Sequence, residues 1–479
     1  MISGALLLLL LPLAMAGIVY IVLRWQTLAA LLSVGTAVAL GFAVLTLPLD
    51  QPVRPFSFRG EDYQIDMGEV VTFFGRELVV EPSDRMAMAF LFFTAAGIFF
   101  LAWRTSPRSL LFPIGLGLLS LLCGALLIRP LIYAALLIEI AAALAIFALQ
   151  AEGEPPTRGG MRYLAFMTLA LPGLLVAHWL VDLYQVTPDE TQLLSTATAL
   201  LTFSFALWLG VVPFHTWVPS VIGDSAPLAG IFVLTIGNSA VWFLMLDFLD
   251  AYPWLRGDPN FEYFVSTAGV AMVVVGGLLA PAQRRLGTLL GYAALADSGA
   301  ALIALGMRST LGIELALLSL YTRPFGLVLM AAGISGLWKC NGSDDSFDAL
   351  RGVGWRAPWS TVLLLVGGIS TAGFPVSAGF VYRWALYRAL ATASPGYALL
   401  IMLAGMGVMV GLWRGLASLL DRPRSPENRS VLSPGSSEGW LTALVVVVAV
   451  VACIGMGLFP QILAPWTVRL ADAYTFFAP

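Results

Sequence analysis

Six titratable side chains stand inside or beside long apolar stretches of this 479-residue chain, which is 59% hydrophobic and 11% charged. Glu139 lies in Leu131-Ile-Tyr-Ala-Ala-Leu-Leu-Ile-Glu139-Ile-Ala-Ala-Ala-Leu, with no other charge for a full turn on either side. Asp297 lies in Gly291-Tyr-Ala-Ala-Leu-Ala-Asp297-Ser-Gly. Arg323 precedes Pro324, with Glu314 earlier in the same stretch and Tyr321 close by. Arg383 follows Gly379-Phe-Val-Tyr, and His215 follows Pro213-Phe. An acid in the middle of a bilayer costs about 2.5 to 3.5 kcal/mol on insertion scales, so it is normally paired or part of an ion path. Acids in this setting bind protons or cations, and a histidine exchanges protons near neutral pH. An arginine keeps its charge and can only hold a fixed partner. Plainer readings stand beside these: a protonated Glu139 bonded to a neighbouring helix, structural ion pairs at Arg323 (with Asp297 as partner) and Arg383, and a hydrogen-bonded core histidine. His178 and Asp182, one turn apart, read as an interfacial anchor.

These side chains require a membrane around them, and the composition supplies one. Mean hydropathy is +0.89, and the charged fraction falls well below the roughly 25% of a soluble domain. The first apolar run, residues 2–23, is longer than a signal-peptide core and lacks a basic residue before it, so it is expected to be a retained span. A window of about 19 residues yields about fourteen spans. Their expected limits are 2–23, 27–47, 86–103, 110–128, 131–149, 163–183, 192–212, 228–249, 263–280, 286–307, 311–338, 359–390, 396–420 and 440–459, with an amphipathic tail over 461–477. The fold class is all-α integral membrane.

Two spans are interrupted. Pro213 and Pro219 break the seventh, around Trp208 to Pro227, because each proline removes a backbone donor. The twelfth is too long for one crossing, about 48 Å at 1.5 Å per residue, and contains Gly373, Pro375 and Gly379. Irregular backbone at membrane depth is tolerated only inside protein or along a watery cavity. Broken spans at corresponding positions of two halves point to a transport path, so spans 4–8 and 9–13 are expected to form two inverted five-helix repeats. The division is then 1–47 (two spans), 48–85 (polar loop), 86–109 (third span), 110–249 and 250–420 (the repeats), and 421–479 (last span and tail). Residues Val70 to Val80 are expected to form a hairpin about Gly75-Arg76, and the acids Glu61, Asp62, Asp66, Glu69, Glu77, Glu81 and Asp84 a solvated face. Residues 152–160 and 340–357 read as connectors. More basic residues fall on one side (Arg24, Arg104, Arg158, Arg284, Arg285 and Arg422 among them) than on the hairpin side, which places both termini and the hairpin outside.

Several function classes are excluded or unsupported. Cys123, Cys340 and Cys453 are scattered without pairing. There is no nucleotide-binding fingerprint and no metal-ligand spacing, so neither cofactor nor metal is expected, and any redox centre would sit in a partner. A net charge of −3 gives no basis for nucleic-acid binding. Of 25 basic residues only Lys339 is a lysine, which reflects either an arginine-biased genome or a functional loss of lysines from the membrane.

The stretch Val212-Pro-Phe-His215-Thr-Trp217-Val-Pro219, followed by Pro227, resembles the proline-broken seventh helix of the antiporter-like membrane subunits found in respiratory complex I, membrane-bound hydrogenases and multisubunit sodium/proton antiporters. Arg285-Leu-Gly-Thr-Leu-Leu-Gly-Tyr292-Ala-Ala-Leu-Ala-Asp297-Ser-Gly299 resembles that family's tenth helix, and Thr371-Ala-Gly-Phe-Pro375-Val-Ser-Ala-Gly379-Phe its broken twelfth. The size is similar to the N-type subunit. The resemblance implies proton movement through a glutamate on the fifth helix, matched by Glu139, and lysines or a histidine on the seventh, eighth and twelfth. Here the seventh-helix position holds Trp208, the eighth falls on residues 233–237 without a titratable group, and the twelfth holds Arg383. Partners are expected to be other polytopic subunits in a lipid bilayer, in a bacterial cytoplasmic membrane. Two mechanisms follow: an altered route through Glu139, His215 and Asp297, or a subunit that has lost pumping and serves as scaffold. The alternative is a stand-alone secondary transporter for a small ion.

Overall fold

The computed structural model describes residues 2–49, 51–58, 61–73, 75–106, 110–150, 156–190, 192–342, 344–421 and 438–474, except the side chains of residues 2, 54–63, 73, 259 and 262. Arg422, the connector residues 152–155 and the side chains of Glu61 and Asp62 fall outside that set. The helices are α1 (Gly4–Ile21), α2 (Gln26–Thr46), α3 (Pro82–Thr105), α4 (Leu111–Leu127), α5 (Ile132–Leu149), α6 (Arg158–Val186), α7 (Gln192–Leu209), α8 (Trp217–Gly223), α9 (Pro227–Phe232), α10 (Asn238–Ala251), α11 (Pro253–Gly257), α12 (Pro259–Leu279), α13 (Leu286–Leu305), α14 (Thr310–Asn341), α15 (Pro358–Ala372), α16 (Ala378–Ala393), α17 (Pro395–Leu420), α18 (Trp440–Leu458) and α19 (Ala464–Ala473). Among the described residues, twelve helical segments are long and apolar enough to cross a membrane, and the shorter apolar helices α4 and α15 fill the fourth and twelfth expected positions. The protein is an integral membrane protein. Its central helices are almost wholly buried: 94% of the α9–α10 segment and 89% of α13 and α14, against 28% of α1 and 22% of α18.

The first interruption begins at Gly210, whose φ of +66° suits a residue without Cβ. A cis Val212–Pro213 bond and a 3-10 turn over Phe214–Thr216 lead into α8. Trp217 Nε1 donates to the Leu207 carbonyl at 3.2 Å, joining Gly210 N, which donates to the same oxygen at 3.3 Å, and so ties the end of α7 to the start of α8. Pro219 was expected to break the span a second time. It lies instead in the first turn of α8, where a missing donor leaves no gap. In the second interruption Gly373 (φ +77°) and Val376 (φ +69°) turn the chain between α15 and α16. Ser370 Oγ accepts from Gly379 N at 3.1 Å across it. Gly379 is therefore helical, and its hydrogen bond closes the break.

Six short strands gather at one end of the bundle. β1 (Ile2–Ser3), β2 (Val53–Phe58) and β3 (Glu61–Asp66) form one sheet in the order β1-β3-β2, while β4 (Val71–Phe73), β5 (Arg76–Leu78) and β6 (Ile128–Arg129) form another. The hairpin about Gly75 is thus present, with Val71 opposite Leu78, and is extended by a third strand that the sequence did not signal. The first sheet was unexpected. One reading needs correcting: Asp84 is not on a solvated face but is 1% exposed in the first turn of α3. Its carboxylate accepts from Glu81 N at 3.1 Å, because the helix starts earlier than the apolar run and leaves that donor open.

Candidate functional site

The second interruption supports a buried charge cluster. Asp297, near the middle of α13, faces Arg323 of α14 and Arg383 of α16, and the three side chains are only 2–4% exposed. Arg383 Nη2 lies 3.1 Å from Asp297 Oδ1 and donates also to the Thr371 carbonyl at 3.2 Å. Tyr382 Oη donates to the same Oδ1. Arg323 Nε lies 3.0 Å from Oδ2, yet its N–H is not aimed along that line, so this contact is Coulombic. Arg323 Nη2 donates to Ser298 Oγ at 2.8 Å. Two guanidiniums thus share one carboxylate, leaving a net positive charge, and Arg383 Nε and Nη1 find no partner among the described residues. The Gly373 turn lies against the Arg383 side chain, whose carbons a Cβ there would meet.

Beside this cluster is a cavity of about 10 Å³ lined by Leu209, Val218, Leu234, Asn238, Ser298 and Arg323. That is about the room one water needs. Asn238 Oδ1, buried and without a partner among the described residues, and Ser298 Oγ supply the polar contacts. Asn238 follows a π turn over Val233–Gly237, a distortion found frequently at functional sites. The same asparagine lines a second cavity of about 20 Å³ with Trp208, Tyr163, Trp217 and Ile138. Asn238 therefore links the two cavities, a role with no signature in the local pattern of residues.

Trp208 closes that second cavity. It is 1% exposed, its indole N–H donates to the Met167 carbonyl at 3.3 Å, and Phe205 meets it edge to face with centroids 5.8 Å apart. Glu139 lies beyond, on a laterally exposed strip of α5 where Leu136 and Ile140 are 42% and 54% exposed. It accepts from Thr168 Oγ1 at 2.5 Å, and its buried Oε2 has no hydrogen-bond partner among the described residues. His215 is half-buried in the 3-10 turn with Nδ1 likewise unpartnered. Of the six candidates, Asp297, Arg323 and Arg383 form one cluster, and Glu139, His215 and Glu314 stand apart from it. The expected Asp297–Arg323 pairing is found, while no ion pair joins Glu314 to Arg323 among the described residues. His178 and Asp182 lie 3.6 Å apart. The sequence reading missed Tyr382, Ser298 and Asn238, since uncharged polar residues in an apolar helix give no periodic signal.

The sequence profile of the family described as NADH:quinone oxidoreductase/Mrp antiporter, transmembrane, matches residues 106–409. NADH-quinone oxidoreductase subunit N of Ectopseudomonas mendocina is 31% identical over 276 residues, covering 56% of this chain and 54% of that protein. Subunit N of Psychrobacter arcticus is 27% identical over 285 residues, covering 58% and 56%. The matched region thus spans little more than half the length of these curated relatives. Among solved structures, a chain of the Mrp complex from Dietzia sp. DQ12-45-1b superimposes with a TM-score of 0.78 at 17% identity over 99% of this chain and 97% of that one. A chain of respiratory complex I from Thermus thermophilus gives 0.73 at 20% identity over 99% and 100%. At these identities the likeness is one of fold.

Proposed function

Because this chain belongs to the NADH:quinone oxidoreductase/Mrp antiporter transmembrane family, we propose that it is a membrane subunit of an ion-translocating assembly of the complex I or Mrp kind, and that its own proton route is interrupted at Trp208. The observation that carries this reading is the indole of Trp208, buried in the cavity that Asn238 also lines, with its only N–H committed to the carbonyl of Met167, the residue before the Thr168 that bonds Glu139. An indole neither takes up nor releases a proton at any accessible pH and has no acceptor, so a transfer chain stops there.

The charge cluster supports the same reading. Arginine does not release its proton in a protein, so Arg323 and Arg383 act as fixed charges that hold Asp297 rather than as relay members. In this role the subunit seals and shapes the assembly, and redox or gradient coupling belongs to its partners, other polytopic chains in a bacterial cytoplasmic membrane with both termini outside. The division into two five-helix units, α4–α10 and α12–α17, is part of the same proposal and is supported by the matching positions of the two interruptions. A stand-alone transporter is not favoured, since the relatives are named as subunits.

The test is proton flux by the assembly purified with its co-purifying subunits and reconstituted in lipid. Glu139→Gln is expected to leave flux unchanged, whereas Trp208→Lys changes it. Flux abolished by Glu139→Gln sinks the interrupted-route reading. An isolated chain that transports on its own in liposomes removes the subunit reading altogether.

A further inference from the structure

A second buried polar cluster lies at the hairpin end of the bundle, remote from the interruptions. Asp84 of α3 and Asp247 of α10 are 1% and 7% exposed. Arg129 of β6 reaches Asp84 Oδ2 at 3.3 Å and Glu81 Oε2 at 3.0 Å, but it forms no ion pair with Asp247 among the described residues. Asp247 Oδ1 lies 3.2 Å from Tyr474 Oη, and its Oδ2 is buried without a hydrogen-bond partner among the described residues. The ionisable groups facing the site are Glu81 and Asp84 from the start of α3, Arg129 from β6, Cys123 from α4, Asp250 from α10, Tyr321 from α14 and Tyr474 after α19. Three acids, Glu81, Asp84 and Asp247, surround one arginine, and the acid left without a cation is among the most buried.

A carboxylate in this position, with one donor, one bare oxygen and a second carboxylate nearby, is unfavourable unless neutralised. A metal ion does not fit: no group of three or more His, Cys, Asp or Glu side chains is placed to hold one among the described residues. A proton fits. Shared on Oδ1 with the tyrosine oxygen, which can donate or accept, it leaves Oδ2 as a neutral carbonyl, the cheaper kind of unpartnered oxygen.

We propose that Asp247 is a proton-binding site at the hairpin end of the bundle, with Tyr474 as the hydrogen-bond partner through which the carboxy-terminal segment is linked to its charge state. α19 packs on α3 and α14, and Tyr474 follows it directly. Tyr321 of α14, two residues from Arg323, donates to the Met86 carbonyl of α3 at 3.3 Å, so the same α3 turn is tied to the helix that carries Arg323. The site exchanges protons with the aqueous phase at that end and does not depend on whether the subunit pumps.

The experiment is infrared difference spectroscopy across a pH titration, on the full chain purified with its co-purifying subunits in lipid. A protonated-carboxyl C=O band that titrates in the wild type is expected to vanish in Asp247→Asn. In Tyr474→Phe the band persists and shifts, because the carboxyl loses the hydroxyl with which Oδ1 shares its proton. An Asp247→Asn spectrum indistinguishable from wild type overturns the proposal, as does a band unmoved in Tyr474→Phe. If Asp247→Asn does not assemble, Tyr474→Phe, which removes a single hydroxyl, decides alone. Flux is not read, so the outcome is separate from the test of Trp208 and Glu139.

Discussion

Asp297→Asn is expected to be the most damaging single-atom change in this protein. The carboxylate is the shared counter-ion of Arg323 and Arg383, with all three side chains 96–98% buried. Removing one partner of a buried ion pair typically costs about 3 to 5 kcal/mol, because an uncompensated charge remains. Here two guanidiniums lose the one acid they pair with among the described residues, where Arg383 also has two donor atoms unsatisfied, so the upper part of that range applies, or more than a thousandfold in the folding equilibrium at about 1.4 kcal/mol per decade. The contrast that makes this diagnostic is the triple change Asp297→Leu, Arg323→Met, Arg383→Met. Replacing a buried charged triad by apolar residues of similar volume is often neutral or stabilising, so the triple variant should recover most of what the single one loses. Cys123 and Cys453 are buried and report on opening: their labelling by a fluorescent maleimide on heating in detergent, in a Cys340→Ser background, gives the midpoint. Asp297→Asn within about 1 kcal/mol of wild type would show that something other than Asp297 balances the guanidiniums. A triple variant as unstable as the single one would show that the cluster, once packed, is worth more than its desolvation.

The remaining expectations concern the elements around that cluster. Gly373→Ala puts a side chain at φ +77°, costing about 1 to 2 kcal/mol, and its Cβ would meet the Arg383 side chain; the same labelling midpoint should fall, with Gly396→Ala as an unaffected control. Trp208→Phe keeps an aromatic ring but removes the indole hydrogen bond to the Met167 carbonyl, so stability should fall by about 1 kcal/mol with ion flux unchanged, in contrast to Trp208→Lys. Asp345, fully buried, pairs with Arg285 Nε at 2.7 Å and accepts from Gly287 N at 2.7 Å at the start of α13. Asp345→Ala should cost about 1 to 3 kcal/mol and open residues 340–357 to limited proteolysis. The Ser346 N–H holds the neighbouring Asp344 carboxyl below its usual range. Its support for that loop is therefore complete at neutral pH and is lost as the pH falls through the lowered value, so cleavage by an acid-active protease should rise only below about pH 4.

What could be read from the chain beforehand follows from how local the signal is. Apolar runs long enough to span a bilayer identify themselves, and so do the prolines at 213 and 375. The consequences of those prolines were only half legible: Gly210 and Val376 take the unusual backbone angles, while Pro219 and Gly379 settle into helices, the latter held by a bond across the break from Gly379 N to Ser370 Oγ. Charged residues in apolar segments were visible as exceptions, yet only the fold joins Asp297 to Arg383 across 86 positions. Asp84 and Asp247 were missed for a different reason. Each lies close to a span end, where an acid ordinarily meets water, and burial there is created by β6 and the segment after α19 arriving from distant parts of the chain. Asn238 became a junction through the π turn at Val233–Gly237, which rotates it away from the position an uninterrupted α-helix would give it.

The excess guanidinium in the Asp297 cluster also bears on leakage. A membrane chain with two interrupted helices and a water-sized cavity beside them risks passing ions down any gradient across that membrane. A permanently positive group in a narrow polar constriction raises the energy of any hydronium or sodium ion there, as fixed arginines and half-helix dipoles do in pores that exclude cations. Because neither Arg323 nor Arg383 can be discharged by a change of pH, that barrier is the same at every pH the cell meets, and it acts as an insulator built from charge rather than from bulk.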